Sequence, residues 1–180
     1  TRDMRFATTD GSVSVLHQRL RVSRAPRRPL GAFFLRAESY FNVATEIDKI
    51  SEADKALGHR PLSKVYGGSP HLRSHGESFL ALVERRFGKH GLYLLDEPES
   101  ALSFAGELRL AKRITELIST GSQFLIATHS PILPALALGE ADVIIHHLTS
   151  EGPATIEWGE VPSVVATKAF LADPSSEVES

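Results

Sequence analysis

Residues Leu92–Ser100 read LYLLDEPES, a short apolar run that ends in two adjacent carboxylates and a proline. An apolar run of this length, closed by turn residues, fits a strand buried on both faces. Neighbouring like charges repel and neither helps a core, so Asp96 and Glu97 require a reason other than packing. Pro98 disfavours the helical region for the residue before it, so Glu97 is expected to project from an extended turn.

Working outward, FLIA (residues 124–127) reads as a second buried strand followed directly by Thr128 and His129, and GAFFLRAES holds a third strand. FNVATEIDKISEADKAL reads as a helix ended by Gly58 and Pro61, and the turn-rich KVYGGSP follows. A helix is expected from about Gly76, with Phe79, Leu80, Val83 and Phe87 at helical spacing. A longer one is expected over Phe104–Ser119, with Leu108, Ala111, Ile114 and Ile118 on its apolar face. Ser130 and Pro131 read as an N-cap and first helical residue. DVIIHHL and TIEWGEV read as strands and VATKAFL as a final short helix. Apolar strands alternating with helices imply an α/β fold with a mainly parallel sheet covered on both faces.

The chain has 180 residues, 42% of them apolar, which suits one domain with a packed core. It has no cysteine, so disulfides and thiolate metal sites are excluded, and no apolar run nears the roughly 20 residues of a membrane span. A soluble protein in a reducing, cytoplasmic setting is expected. The net charge of -2 is unevenly spread, with eight arginines between Thr1 and Arg36 against Asp3 and Asp10. The basic stretch RLRVSRAPRR lacks the interleaved aromatics of a nucleic-acid interface and reads as a solvated face or loop. Residues 173–180 form an acidic tail expected to be disordered. His146 and His147 stand next to each other on a strand, face opposite ways, and cannot chelate one metal.

Polar residues at the carboxyl ends of parallel strands open onto the crevice where ligands bind. If LYLL and FLIA are neighbours, Asp96, Glu97 and His129 share one rim. An acid for magnesium, an acid for water and an imidazole for a phosphoryl oxygen are the groups that phosphoanhydride hydrolysis uses. SHGES adds a hydroxyl at Ser74 and a glycine at Gly76 where a helix begins. Each motif alone also reads blandly, as a polar turn, a hydrogen-bonded loop histidine or a helix cap with Glu77 in its first turn.

In this order, RSHGESFLALVERRF, LYLLDEPESALS and FLIATHSPIL resemble the signature, Walker B, D-loop and switch-histidine series of ABC-type ATPases. The wording is most similar to small stand-alone ATPases related to the chromosome-maintenance and recombination-repair branch. FFLRAESYFNVATEID and YGGSP share in the resemblance, which spans about Arg5 to Leu171 and makes residues 1–172 one partial ATPase domain. It implies a P-loop NTPase-like three-layer fold, ATP as substrate and Mg2+ as cofactor. It also implies a homodimer in which each signature loop reaches the nucleotide of the other subunit. Asp96 would hold magnesium through water, Glu97 would act as general base and His129 would contact the γ-phosphate. Ser74, Gly76 and Glu77 match the signature loop and Ser103 the D-loop. The family's metal-binding glutamine has no counterpart, and Glu38 stands roughly in its place.

The sequence departs from the family at His75, where a signature glycine is usual, and at Ser103, where the D-loop usually has aspartate. The larger departure is that G-x-x-x-x-G-K-S/T, the loop that cradles β- and γ-phosphates, occurs nowhere in the 180 residues. The family carries it after its first strand, so that strand, the P-loop and the first helix are expected upstream of Thr1. The chain by itself is then expected to bind nucleotide poorly and to leave a sheet face uncovered. Two rival readings are a non-catalytic ATPase-like interaction module and a serine hydrolase using Ser78 or Ser74 with His129 and Asp96. The second lacks the G-x-S-x-G elbow such enzymes require.

Overall fold

The computed structural model describes residues 18–19, 21, 23, 28–37, 75–139 and 142–175. Three strands form a parallel sheet: β1 (Gly31–Arg36), β2 (Gly91–Asp96) and β3 (Gln123–Ala127), in the order β1-β2-β3. The LYLL and FLIA segments are therefore hydrogen-bonded neighbours, with Leu94 opposite Leu125 and Asp96 opposite Ala127. Helix α1 (His75–Arg86) leads into β2, and helix α2 (Phe104–Ile118) joins β2 to β3.

Burial in β2 alternates, with Gly91, Tyr93 and Leu95 inside, because successive side chains of a strand point to opposite faces. Phe33, Tyr93 and Phe124 fall in register across the three strands, as do Leu35, Leu95 and Ile126. These two rows form the floor on which Phe79, Leu82 and Val83 of α1 and Leu110, Ile114 and Leu117 of α2 pack. Burying each such large apolar side chain contributes about 1.5–3 kcal/mol. The expected α1 face of Phe79, Leu80, Val83 and Phe87 is buried throughout.

The amino end of β2 is locked by a polar knot. The Tyr93 hydroxyl donates to the Gly88 carbonyl at 2.9 Å and accepts the Gly88 N–H at 2.6 Å, while its ring stacks on Phe87 at 4.0 Å. Ser122 Oγ accepts the Gly91 N–H at 3.1 Å and donates to the same Gly88 carbonyl at 2.9 Å. A side chain at position 91 would collide with the Tyr93 hydroxyl, so glycine is required there by close approach.

Four expectations are corrected. The buried face of α2 is Gly106, Leu110, Ile114 and Leu117. Leu108 is 48% exposed, while Ala111 and Ile118 only flank the core. Among the described residues the parallel sheet is covered on one face and not both, since Phe34 (65% exposed) and Leu125 (67% exposed) lie on the other, which matches the uncovered sheet face expected of the chain by itself. Strands β4 (Ile145–Thr149) and β5 (Gly152–Ile156) pair antiparallel in a separate two-stranded ribbon. The TIEWGEV segment thus contributes only its first two residues to a strand, and Trp158–Glu160 turns into a 3-10 segment. Lastly, Ser130 does cap, its Oγ accepting the N–H groups of Ile132 at 2.9 Å and Leu133 at 3.3 Å, but it leads into a 3-10 segment, Leu133–Leu138, that begins after Pro131.

The final helix, α3 (Pro162–Ala172), packs near Trp158, with Lys168 Nζ 4.0 Å from the indole centroid. No helix among the described residues is long and apolar enough to cross a membrane.

Candidate functional site

The carboxyl ends of β1, β2 and β3 bring Arg36, Asp96, Glu97 and His129 to one rim. Asp96 closes β2 and sits beside Arg36 of β1, with Arg36 Nε 3.2 Å from its Oδ2. Both side chains are part-exposed, so this ion pair contributes at most about 1 kcal/mol.

Glu97 departs from the extended turn expected of a residue before proline, since its backbone is left-handed at φ 47° and ψ 52°. The neighbouring chain imposes this. The Glu97 N–H continues the β2-β3 ladder by donating to the Ala127 carbonyl at 2.9 Å, while the Glu97 carbonyl accepts from Ser100 N–H at 3.1 Å and Ser100 Oγ at 3.0 Å. Held at both ends, the residue must reverse the chain at once. A left-handed non-glycine residue costs about 1–2 kcal/mol, and such strain gathers where a side chain has to be aimed.

His129 lies just past β3 with its imidazole 89% exposed and Nε2 3.5 Å from Glu97 Oε1. That separation is long for a hydrogen bond but forms an ion pair whenever the imidazole carries both protons. Asp96, Glu97 and His129, selected from sequence, thus converge. Among the described residues no three His, Asp or Glu side chains are grouped to enclose a metal. The hard oxygen of Asp96 fits magnesium in its usual mode, where one or two carboxylates act together with waters and substrate phosphates.

The other selected residues have different surroundings. Gly76 opens α1 against the Pro98–Ala101 turn, where a Cβ would sit 2.9 Å from the Ala101 carbonyl oxygen. Gly76→Ala is expected to lower stability by roughly 1 kcal/mol, because overpacking against backbone outweighs the helix-propensity gain. A denaturation midpoint at or above that of the unmodified chain would show that α1 shifts freely. Glu77 is exposed and lines a hollow with Ala81, Glu84 and Arg109, a lining that does not include Asp96, Glu97 or His129. Ser103 is the N-cap of α2, its Oγ accepting the Gly106 N–H at 3.2 Å. Ser78 is 5% exposed inside α1, far from the exposed elbow a nucleophile occupies. Ser74 and Glu38 lie outside the described residues, as do FNVATEID, YGGSP and residues 176–180 of the acidic tail.

Two rim residues escaped the sequence reading. Arg36 could have been found as the last residue of an apolar strand, but its pairing with Asp96 depends on strand order. Glu99 bonds to the His129 turn from 30 residues away, which no local pattern reports.

The α/β sheet with acid, acid and histidine at its carboxyl rim supports the resemblance to ABC-type ATPases. More particularly, over 76 residues, 42% of this chain, it is 33% identical to an uncharacterized ABC transporter ATP-binding protein of Haemophilus influenzae. The matched part is 28% of that protein's length. Among solved structures, the SMC head domain from Thermotoga maritima matches with a TM-score of 0.39 at 18% identity, covering 69% of this chain and 52% of that one. No protein-family model matches the chain.

Proposed function

We propose that these residues carry the water-activating half of an ABC-type ATPase site, and that the complete protein hydrolyses ATP as a magnesium-dependent, nucleotide-sandwiching dimer. The observation that carries this reading is the convergence of Asp96, Glu97 and His129 at one rim, with Nε2 of His129 3.5 Å from Oε1 of Glu97. The similarity to a protein whose name describes ATP binding adds to it.

Glu97 orients the attacking water and takes its proton, a role that calls for a carboxylate held in a fixed direction. His129 stands beside it, free to donate a hydrogen bond to the γ-phosphoryl oxygens. Asp96 would hold hydrated magnesium through its carboxylate, and that ion would offset negative charge on the nucleotide's phosphates. Arg36 holds Asp96 in place from β1. In the proposed dimer the signature residues Ser74, Gly76 and Glu77 serve the partner's nucleotide, and Ser103 belongs to the seam. These 180 residues contain no G-x-x-x-x-G-K-S/T loop to cradle the β- and γ-phosphates, so on this reading they are expected to bind nucleotide poorly by themselves. The likeness to the chromosome-maintenance branch gives no work for the hydrolysis to drive, and nucleic acid is not assigned as a partner.

The test is phosphate release from ATP by the full-length protein. Turnover that requires magnesium and stops in EDTA supports the proposal. If the coding sequence upstream of Thr1 encodes no P-loop and no turnover occurs, the interaction-module reading replaces it. Stoichiometric labelling of Ser78 by a serine-directed phosphonate would instead favour a hydrolase.

A further inference from the structure

The geometry points to Glu99 as the positioning residue that sets where His129 stands relative to Glu97. Glu99 lies in the Pro98–Ala101 turn immediately after the paired acids. Its Oε1 accepts the backbone N–H of His129 at 2.7 Å and of Ser130 at 3.1 Å, tying the turn after β3 to the turn after β2. Hydrogen bonds from N–H groups to a carboxylate are shorter and roughly twice as strong as neutral ones. Its Oε2 is buried and has no hydrogen-bond partner among the described residues. The carboxylate therefore holds the histidine turn and nothing else there.

The turn depends on that anchor. The His129 imidazole is almost wholly exposed, so packing does not hold it. Ser130 is gripped from the same side, donating from Oγ to Glu107 Oε2 of α2 at 2.6 Å. Glu99 and Glu107 thus fasten the histidine turn to the segment that runs from the paired acids into α2. Any shift of that segment is passed to His129 through the carboxylate, and a displacement of the order of 1 Å at a reacting group costs about 10²-fold in rate.

The kinetic half of this inference rests on the ATPase reading; the anchoring half does not. In full-length protein without nucleotide, the His129 and Ser130 amides should exchange with solvent at least about tenfold more slowly than exposed amides. Glu99→Ala should abolish that protection at His129, while Ser130, whose N–H is also accepted by Thr128 Oγ1 at 3.0 Å, loses less and amides of α1 and α2 keep theirs; Glu99→Gln, which retains an acceptor oxygen, should preserve most of it. In turnover, Glu99→Ala should lower kcat by about 10²-fold with KM for ATP little changed, and Glu99→Gln should recover most of the loss. Exchange at the free-amide rate in the unmodified protein overturns the proposal, whatever happens to the variants. So does a folded Glu99→Ala protein with unchanged kcat. Absence of turnover in the unmodified protein would count against the ATPase reading alone, because the exchange measurement still decides the anchor.

Discussion

Glu97→Gln, made in the full-length protein, is expected to lower ATP turnover by about 10²–10⁴-fold while leaving nucleotide binding intact. The substitution keeps the shape of the side chain and both backbone hydrogen bonds that hold residue 97, to Ala127 and from Ser100. It removes only the negative charge and the ability to accept a proton from water. The loss corresponds to about 3–5 kcal/mol of transition-state stabilisation, more than the modest ion pair with an exposed His129 could supply. Steady-state phosphate release measured beside equilibrium ATP binding separates the two effects. Unchanged turnover would move the general base elsewhere; lost binding would mean that the carboxylate acts on the ground state.

Phe79→Ala is expected to destabilise the fold by about 3–5 kcal/mol, the range for removing a fully enclosed phenyl ring. Phe79 is 0% exposed, on the α1 face that meets the Tyr93 and Leu95 rows of the sheet. Against a total stability of about 5–15 kcal/mol, such a loss leaves little margin. Urea unfolding followed by circular dichroism reads it as a large drop in midpoint. Leu108→Ala on α2 serves as the contrast and should change stability by less than about 0.5 kcal/mol, since Leu108 is half exposed. A similar drop in both variants would mean that the core is placed wrongly.

The parallel sheet was legible because its strands are short, apolar and bounded by glycine or by charge, and α1 because one stripe of large residues repeats at helical spacing. The face of α2 was not. Its sequence carries two apolar stripes, Phe104 with Leu108 and Leu110 with Ile114 and Leu117, and only the sheet beside it selects the second. The boundary of β5 failed for a related reason. A hairpin turn in which Thr149 Oγ1 donates to the Gly152 carbonyl starts the strand at a glycine and a proline, where local preference argues against one. Glu97 shows the limit of a rule about neighbours: proline disfavours the right-handed helical region before it, but the choice between extended and left-handed was made by hydrogen bonds to other segments. Of the site, the chemical groups could be read in advance, whereas the contacts that orient them, Arg36 with Asp96 and Glu99 with the His129 turn, join residues far apart in sequence.

The left-handed backbone at residue 97 sets two demands against each other. Asparagine or glycine would sit in that conformation at less cost than glutamate, yet neither can take a proton from water. If Glu97 is the base proposed above, any drift toward a more relaxed turn removes it, and retaining it means carrying a locally unfavourable backbone. On that reading, position 97 is where folding stability could be gained only by giving up chemistry, a trade found where a side chain must be aimed rather than merely accommodated.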